Sequence, residues 1–229
     1  MPTPSLQILF QDENYLGFFK PSGLPTSFGK NENYFLNIVK QNYPELFTFI
    51  GFKAEEGGLL YRLDNEACGL LLFAKNKKAF DEFINDVNLE KIYLAEVLNL
   101  PKRNSVPSLQ FSKLNIINFP IVHKSSKKMA VLIPGKKITY QSSPIFTETK
   151  YQIFSNSQLL KCFIKKGVRH QIRVHLASID CPIINDQLYN KMQILNSADH
   201  LHLCCIGIKS EKLNIDVLNK LKGLVGWLS

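Results

Sequence analysis

Apolar residues along this chain come in short runs parted by polar, proline-bearing or glycine-bearing turns, a spacing that predicts many brief strands and few helices. Leu6–Phe10 and Tyr15–Phe19 read as strands around a turn at Gln11–Asn14, followed by the loop Lys20-Pro-Ser-Gly-Leu-Pro25. Over 33–42, Phe35, Leu36 and Val39 sit at helical spacing. Leu70–Ala74 is wholly apolar, the pattern of a strand buried on both faces. Asn76 then caps a helix running to Leu89, in which Phe80, Phe83, Ile84 and Val87 follow the i, i+3, i+4, i+7 rule. Further strands are predicted at Ile92–Leu98, Met129–Ile133, Phe146–Phe154 and Leu159–Lys165, with Gly167 as the turn after the last. A helix over Arg169–Ile179 places Ile172, His175, Leu176 and Ile179 on one face, and Arg169 and Arg173 on another. Strands outnumber helices without alternating with them, so the fold class is α+β, a mixed, mainly antiparallel central sheet flanked by helices, rather than a doubly wound parallel fold. No repeat or linker interrupts the pattern, and residues 1–229 are read as a single domain.

Composition narrows this picture. With 229 residues, 45% of them apolar, the chain can bury a full core. Its longest apolar runs fall far short of the roughly 18 residues that cross a bilayer, and no basic-then-apolar leader opens it. The expectation is a cytoplasmic monomer without membrane contact. Five cysteines with no CxxC spacing indicate reduced, mostly buried thiols rather than a disulfide framework or a zinc ribbon.

The net charge of +9 is unevenly placed. Residues 1–96 carry 9 basic and 13 acidic side chains, residues 180–229 carry 5 of each, and residues 97–179 carry 14 basic against one acidic, Glu148. A one-sign block inside a chain too apolar to be a disordered tail points to a polyanionic partner, although charge alone leaves RNA, DNA and anionic membranes open.

No GxxxxGK[ST], GxGxxG, HExxH or GxSxG occurs, so neither a nucleotide cofactor nor zincin chemistry is expected. His170, His175, His200 and His202 form a conceivable metal cluster, with the HxH at 200–202 on one side of a strand, but satisfied core or helix-face histidines are the commoner case. Tyr61-Arg-Leu-Asp64 follows a Gly57-Gly58 turn and leads into the apolar strand. A carboxylate at that place is either a turn aspartate bonding its own backbone or, kept ionised by a paired arginine, a nucleophile or base.

The stretch Tyr61-Arg-Leu-Asp-Asn-Glu-Ala-Cys-Gly-Leu-Leu-Leu-Phe-Ala-Lys75 resembles the HRLDxxTSGLLLxAK segment of the RluA-like pseudouridine synthases. Three more segments resemble that family in order and spacing. Tyr15-Leu-Gly-Phe-Phe-Lys-Pro-Ser-Gly-Leu-Pro25 matches xVxNKPxGLP, and Lys91-Ile-Tyr-Leu-Ala-Glu-Val97 matches KxYxAxV. Gly167-Val-Arg-His-Gln-Ile-Arg-Val-His-Leu-Ala177, continued by Pro182-Ile-Ile-Asn-Asp-Gln-Leu-Tyr189, matches GRxHQIRVHLAxxGxPIxGDxxYG, and Leu201-His-Leu fits a later LHA element. The likeness spans roughly residues 5–210, without an amino-terminal S4-type module, so a catalytic-domain-only member is expected.

The resemblance implies an RNA pseudouridine synthase acting on tRNA or rRNA without a cofactor. Asp64 would be the catalytic aspartate, Tyr93 would stack on the target base and serve the later proton removal, and Arg173 would hold Asp64 in an ion pair. Arg62 would assist base flipping. The residues expected to meet RNA are Arg62, Arg169, His170, Gln171, Lys124, Lys127 and Lys128. Departures from the family pattern stand at Tyr61 (for His), Ala67-Cys68 (for Thr-Ser), Val168 (for Arg) and Asp180, Asn185 and Asn190 (for Gly). These changes motivate a second reading, a non-catalytic RNA-binding or RNA-folding protein on the same fold.

Overall fold

In a computed structural model, which describes residues 6–27, 34–100, 114–154, 158–165, 167–191 and 200–228, the strands are short and the helices few. In chain order they are β1 (Ile8–Gln11), β2 (Tyr15–Lys20), α1 (Phe35–Asn42), β3 (Cys68–Ala74), α2 (Lys77–Asn85), β4 (Glu90–Glu96), β5 (Asn115–Ile117), β6 (Ile121–His123) and β7 (Met129–Val131). They continue with β8 (Thr149–Ile153), β9 (Leu159–Ile164), α3 (Gln171–Ser178), β10 (Leu203–Lys209), β11 (Asn214–Asp216) and α4 (Leu218–Leu221). The class is α+β as predicted, and the chain divides into two compact units, residues 1–91 with 204–229, and residues 92–203. The start predicted for α1, at position 33, lies outside the described residues.

The first unit carries the strand order β1-β2-β3-β10, with β11 on β10. Its pairs are antiparallel except β3 with β10, which run parallel. Every residue of β3 is buried, which is why it is apolar without alternation. Phe18, Phe47 and Phe73 close the core with tilted and edge-on ring contacts. Gly69, at φ 112, lets β10 approach closely: a Cβ there would meet the carbonyl oxygen of Cys205 at 2.3 Å. Helix α2 is capped as expected, the Asn76 side chain accepting from the Ala79 amide. It ends at Asn85, four residues before the predicted Leu89, because Asp86 turns the chain by accepting from the Asn88 amide at 2.9 Å. Val87, beyond the helix end, and Ile84, in its last turn, are exposed.

In the second unit the order is β4-β9-β8-β5, with β6 and β7 a separate hairpin. Strands β8 and β9 alternate buried and half-buried positions, the signature of one covered face. Helix α3 starts at Gln171, because His170 takes a left-handed conformation at φ 55. Arg169 thus stands outside the helix, and the polar face predicted to hold Arg169 and Arg173 does not exist: Gln171 to Leu176 are all buried. Among the described residues no helix is long and apolar enough to cross a membrane.

Candidate active site

Asp64 lies in the first unit on the turn before β3, half-buried between exposed Arg62 and exposed Asn65. Residues 20–26 fasten the backbone of this turn. Thr26 brackets Leu63, its hydroxyl donating to the Leu63 carbonyl at 2.9 Å and accepting from the Leu63 amide at 3.2 Å. The Gly23 amide donates to the Asn65 carbonyl at 2.8 Å, a geometry reached with Gly23 at φ 78. Ser22 donates to the Glu66 carbonyl at 2.8 Å, and the Ala67 amide closes the turn on the Asp64 carbonyl at 3.2 Å.

Lys20, fully buried, donates from Nζ to the carbonyls of Pro21 and Leu24 at 2.7 Å and of Asn65 at 3.2 Å. Burial pushes its ammonium down to about 8, against the opposing pull of the Cys68 thiol and the Asp64 and Glu66 carboxylates. No role for Lys20 follows from its residue type alone. The signal is its place in the motif, where a lysine between two apolar strand residues and a proline has to be satisfied locally.

Tyr61, which stands where the family pattern has His, is a framework residue. Its hydroxyl donates to the Leu70 carbonyl at 2.9 Å, its ring stacks on Phe83 at 6.3 Å, and the Lys91 ammonium sits 5.4 Å from its centroid.

The second unit holds Tyr93, buried on β4, and Arg173, only 1% exposed on α3. Arg173 is gripped bidentately by Asp186, from Nε to Oδ2 and from Nη2 to Oδ1, both at 2.9 Å. Asp186 Oδ1 also accepts from the amides of Leu188 and Tyr189, and the Tyr189 ring lies 5.5 Å from the guanidinium carbon. Asp186 carries no role in the sequence reading. A buried arginine requires a carboxylate, and the aspartate that ends the PIIND segment supplies it. The Tyr189 hydroxyl accepts from the Met129 amide at 2.9 Å and meets His170 Nδ1 at 3.0 Å, joining α3 to the β6–β7 hairpin.

The turn of that hairpin is basic. Lys124 and Lys127 are exposed, and Arg169 is tied to the turn by donating from Nη1 to the Ser126 carbonyl at 2.8 Å. Lys128 folds inward onto the Leu188 carbonyl at 2.5 Å and the Tyr189 ring at 5.2 Å, and burial, then Lys191 and Lys124, push its ammonium below the usual range. Gln171 is buried, accepting from the Val168 amide and donating to the Glu148 carbonyl and the Thr149 hydroxyl. Its amide braces α3.

Two of the three missing glycines have a conformational account. Asp180 and Asn185 sit at φ 61 and 59, the left-handed region that favours glycine and that Asp and Asn tolerate best among other residues. Asn190 instead bonds the Ile183 carbonyl through Nδ2 at 3.1 Å, and Val168 packs against the cluster of Ile121, Met129 and Val174.

The histidines do not assemble. His175 is a satisfied core residue, meeting the Thr149 hydroxyl at 2.8 Å and the Phe119 carbonyl at 2.9 Å, and burial lowers its pKa. His202 donates from Nδ1 to Glu96 at 2.6 Å. The HxH pair is not on a strand, since β10 begins at Leu203. Among the described residues no group of His, Cys, Asp or Glu could hold a metal ion.

A family model described as RNA pseudouridylate synthase matches residues 14–178. Ribosomal large subunit pseudouridine synthase D of Nitrosomonas europaea is 31% identical over 81% of this chain and 50% of its own length. The tRNA pseudouridine(31) synthase of Saccharomyces cerevisiae is 30% identical over 80% of this chain and 46% of its own length. The chain thus spans about half the length of these curated relatives. The solved structure titled human RNA pseudouridylate synthase domain containing 4 superposes with a TM-score of 0.66 at 24% identity, covering 92% of this chain and 87% of that one.

Proposed function

Because the chain belongs to the RNA pseudouridylate synthase family, we propose that it isomerises specific uridines of tRNA or rRNA to pseudouridine, with Asp64 as the catalytic aspartate. The observation that carries this reading is the fastening of the Asp64 turn by Lys20, Ser22, Gly23 and Thr26, which fixes the backbone on both sides of a half-buried carboxylate. In the proposed reaction the target uridine leaves the stack, and Asp64 attacks or deprotonates it as the C1′–N1 bond breaks. Uracil turns and rejoins through C5, N1 ends protonated, and the C5 hydrogen passes to solvent. The rearrangement is redox-neutral and needs no energy input.

Tyr93 stacks on the base and serves the proton removal, while Arg173, oriented by Asp186, is the counter-charge proposed for Asp64. Arg62 fills the vacated stack or holds a phosphate. Lys124, Lys127 and Arg169 hold the RNA backbone, and Lys128, His170 and Gln171 support the surface from which they project. Residues 1–229 act in this reading as one catalytic domain, a cytoplasmic monomer. Incubating the purified protein with 5-tritiated uridine tRNA and rRNA should release tritium to water, and no release from any RNA would refute the assignment.

Lys20 offers a test of the fastened turn. Pro21 and Asn65 are exposed and Leu24 half-buried, so water can take the place of the lost donor at their carbonyls, and Lys20→Met should move the thermal midpoint by less than about 5 °C. Losing the donor to Pro21, Leu24 and Asn65 loosens the turn, and turnover should fall about 10-fold. Wild-type turnover should decline as pH passes about 8, where Lys20 loses its proton. A Lys20→Met profile that keeps this alkaline limb would assign the limb to another group.

Binding should weaken steeply with salt as phosphate counterions are released. Lys124→Ala and Lys127→Ala should each shrink the log–log slope by about 1 without changing which uridine is modified, measured by filter binding. A slope unchanged in the double variant would remove these lysines from the interface.

A further inference from the structure

Two thiols meet at the foot of the Asp64 turn. In the parallel pairing of β3 with β10, Cys68 stands opposite Cys204, and both side chains are buried. Opposed residues on adjacent strands point to the same face, with backbones about 4.8 Å apart, inside the Cα range that a disulfide spans. Cys205, the next residue, projects to the other face, its sulfur 3.8 Å from the Tyr61 hydroxyl, so the pair is Cys68 with Cys204 alone. Cys68 is also the position at which this chain departs from the Ser of the family pattern, so the pair is a feature of this sequence.

The surroundings divide the labour between the sulfurs. The hydrogen bond from Cys204, then one from Ser22, then the nearby Lys20 ammonium pull the Cys68 thiol below its ordinary range despite burial. Cys204, bonded to that sulfur and buried, is pushed well above its own. Ser22, half-buried, donates to the carbonyl of exposed Glu66, so the Cys68 end of the pair is the one nearer solvent-facing residues.

We propose that Cys68 and Cys204 are a peroxide-responsive pair that closes to a disulfide and so locks the base of the Asp64 turn. The Cys68 thiolate attacks hydrogen peroxide, the O–O bond breaks, and Cys68 becomes a sulfenic acid while the departing hydroxide takes up the proton that Cys68 released on ionising and leaves as water. The Cys204 sulfur then attacks the Cys68 sulfur. The S–S bond forms, the S–O bond breaks, and the Cys204 proton leaves with the hydroxide as a second water. Two thiols are oxidised and one peroxide is reduced. A bridge between directly opposed strand residues is strained, the kind that thiol reductants reopen readily. Its effect on turnover, though not its formation, rests on the reading of Asp64 given above.

The test uses the full chain with hydrogen peroxide, alkylation of remaining thiols, and mapping of non-reduced peptides. Two of the five thiols should be lost to a peptide pair containing Cys68 and Cys204, pseudouridine formation should fall at least 10-fold, and dithiothreitol should restore both. Cys68→Ser and Cys204→Ala should each keep basal turnover and resist peroxide. Reduced protein that is active while no Cys68–Cys204 peptide forms overturns the proposal, as does a bridge that leaves turnover unchanged. A bridge forming in protein that is inactive even when reduced upholds the thiol pair and counts against the proposed function instead.

Discussion

Asp64→Asn lowers pseudouridine formation by at least about 10³-fold while leaving the protein folded, because a neutral amide neither attacks nor removes a proton. Asn keeps the shape of the side chain, and the ties that fasten this turn run to the backbone of Leu63, Asn65 and Glu66. The thermal midpoint should therefore stay within a few degrees of wild type. One electrostatic consequence is specific to this site. The Asp64 charge supports the Lys20 ammonium against burial, so its removal shifts Lys20 titration below about 8. Single-turnover tritium release measures the chemical step, and release at the wild-type rate would remove Asp64 from it. Complementation of a deletion strain separates the two classes of function: an Asp64→Asn allele that restores growth fully means that RNA binding, not isomerisation, is what the cell uses.

The elements were legible wherever local pattern and burial agree. The run Leu70–Ala74 is apolar because β3 is covered on both faces, and Asn76 announces α2 through its side-chain acceptor. Boundaries were lost where a single side chain overrides periodicity, as when Asp86 ends α2 short of Leu89. The start of α3 escaped for a similar reason, since nothing in Arg169-His170 announces the left-handed turn that excludes Arg169 from the helix. The motifs marked Asp64, Tyr93 and Arg173 as candidates without showing what holds them. Lys20 and Asp186 act through bonds to groups dozens of residues away in sequence or on another element, information that residue type and spacing do not carry. The lost glycines illustrate the converse. Asp180 and Asn185 differ from the pattern in letters, yet they take the same left-handed backbone that glycine favours.

Breaking the Arg173–Asp186 pair has the largest expected effect on stability. Both side chains are essentially without solvent contact, at 1% and 0% exposure, so either one left alone is an uncompensated buried charge. Asp186→Ala should destabilise the protein by about 3–5 kcal/mol, which lowers the thermal midpoint by about 10 °C for a chain of this size. The loss is compounded because Asp186 Oδ1 also accepts from the amides of Leu188 and Tyr189. Arg173→Lys should fail in a milder form, since an ammonium cannot reproduce the two parallel bonds from Nε and Nη2. Removing both charges reverses the logic. With Arg173→Met and Asp186→Leu together neither charge is left unpaired at this place, and the midpoint should recover most of the loss, short of wild type by what the orphaned Leu188 and Tyr189 amides cost. Pseudouridine formation should not recover with it, because the guanidinium is the counter-charge proposed for Asp64, and methionine supplies none. Thermal melts and tritium release on the same three variants decide the matter: a double variant that is both stable and active would show that the ion pair only holds α3 in place, whereas stability without activity assigns the arginine to the chemistry and the aspartate to aiming it.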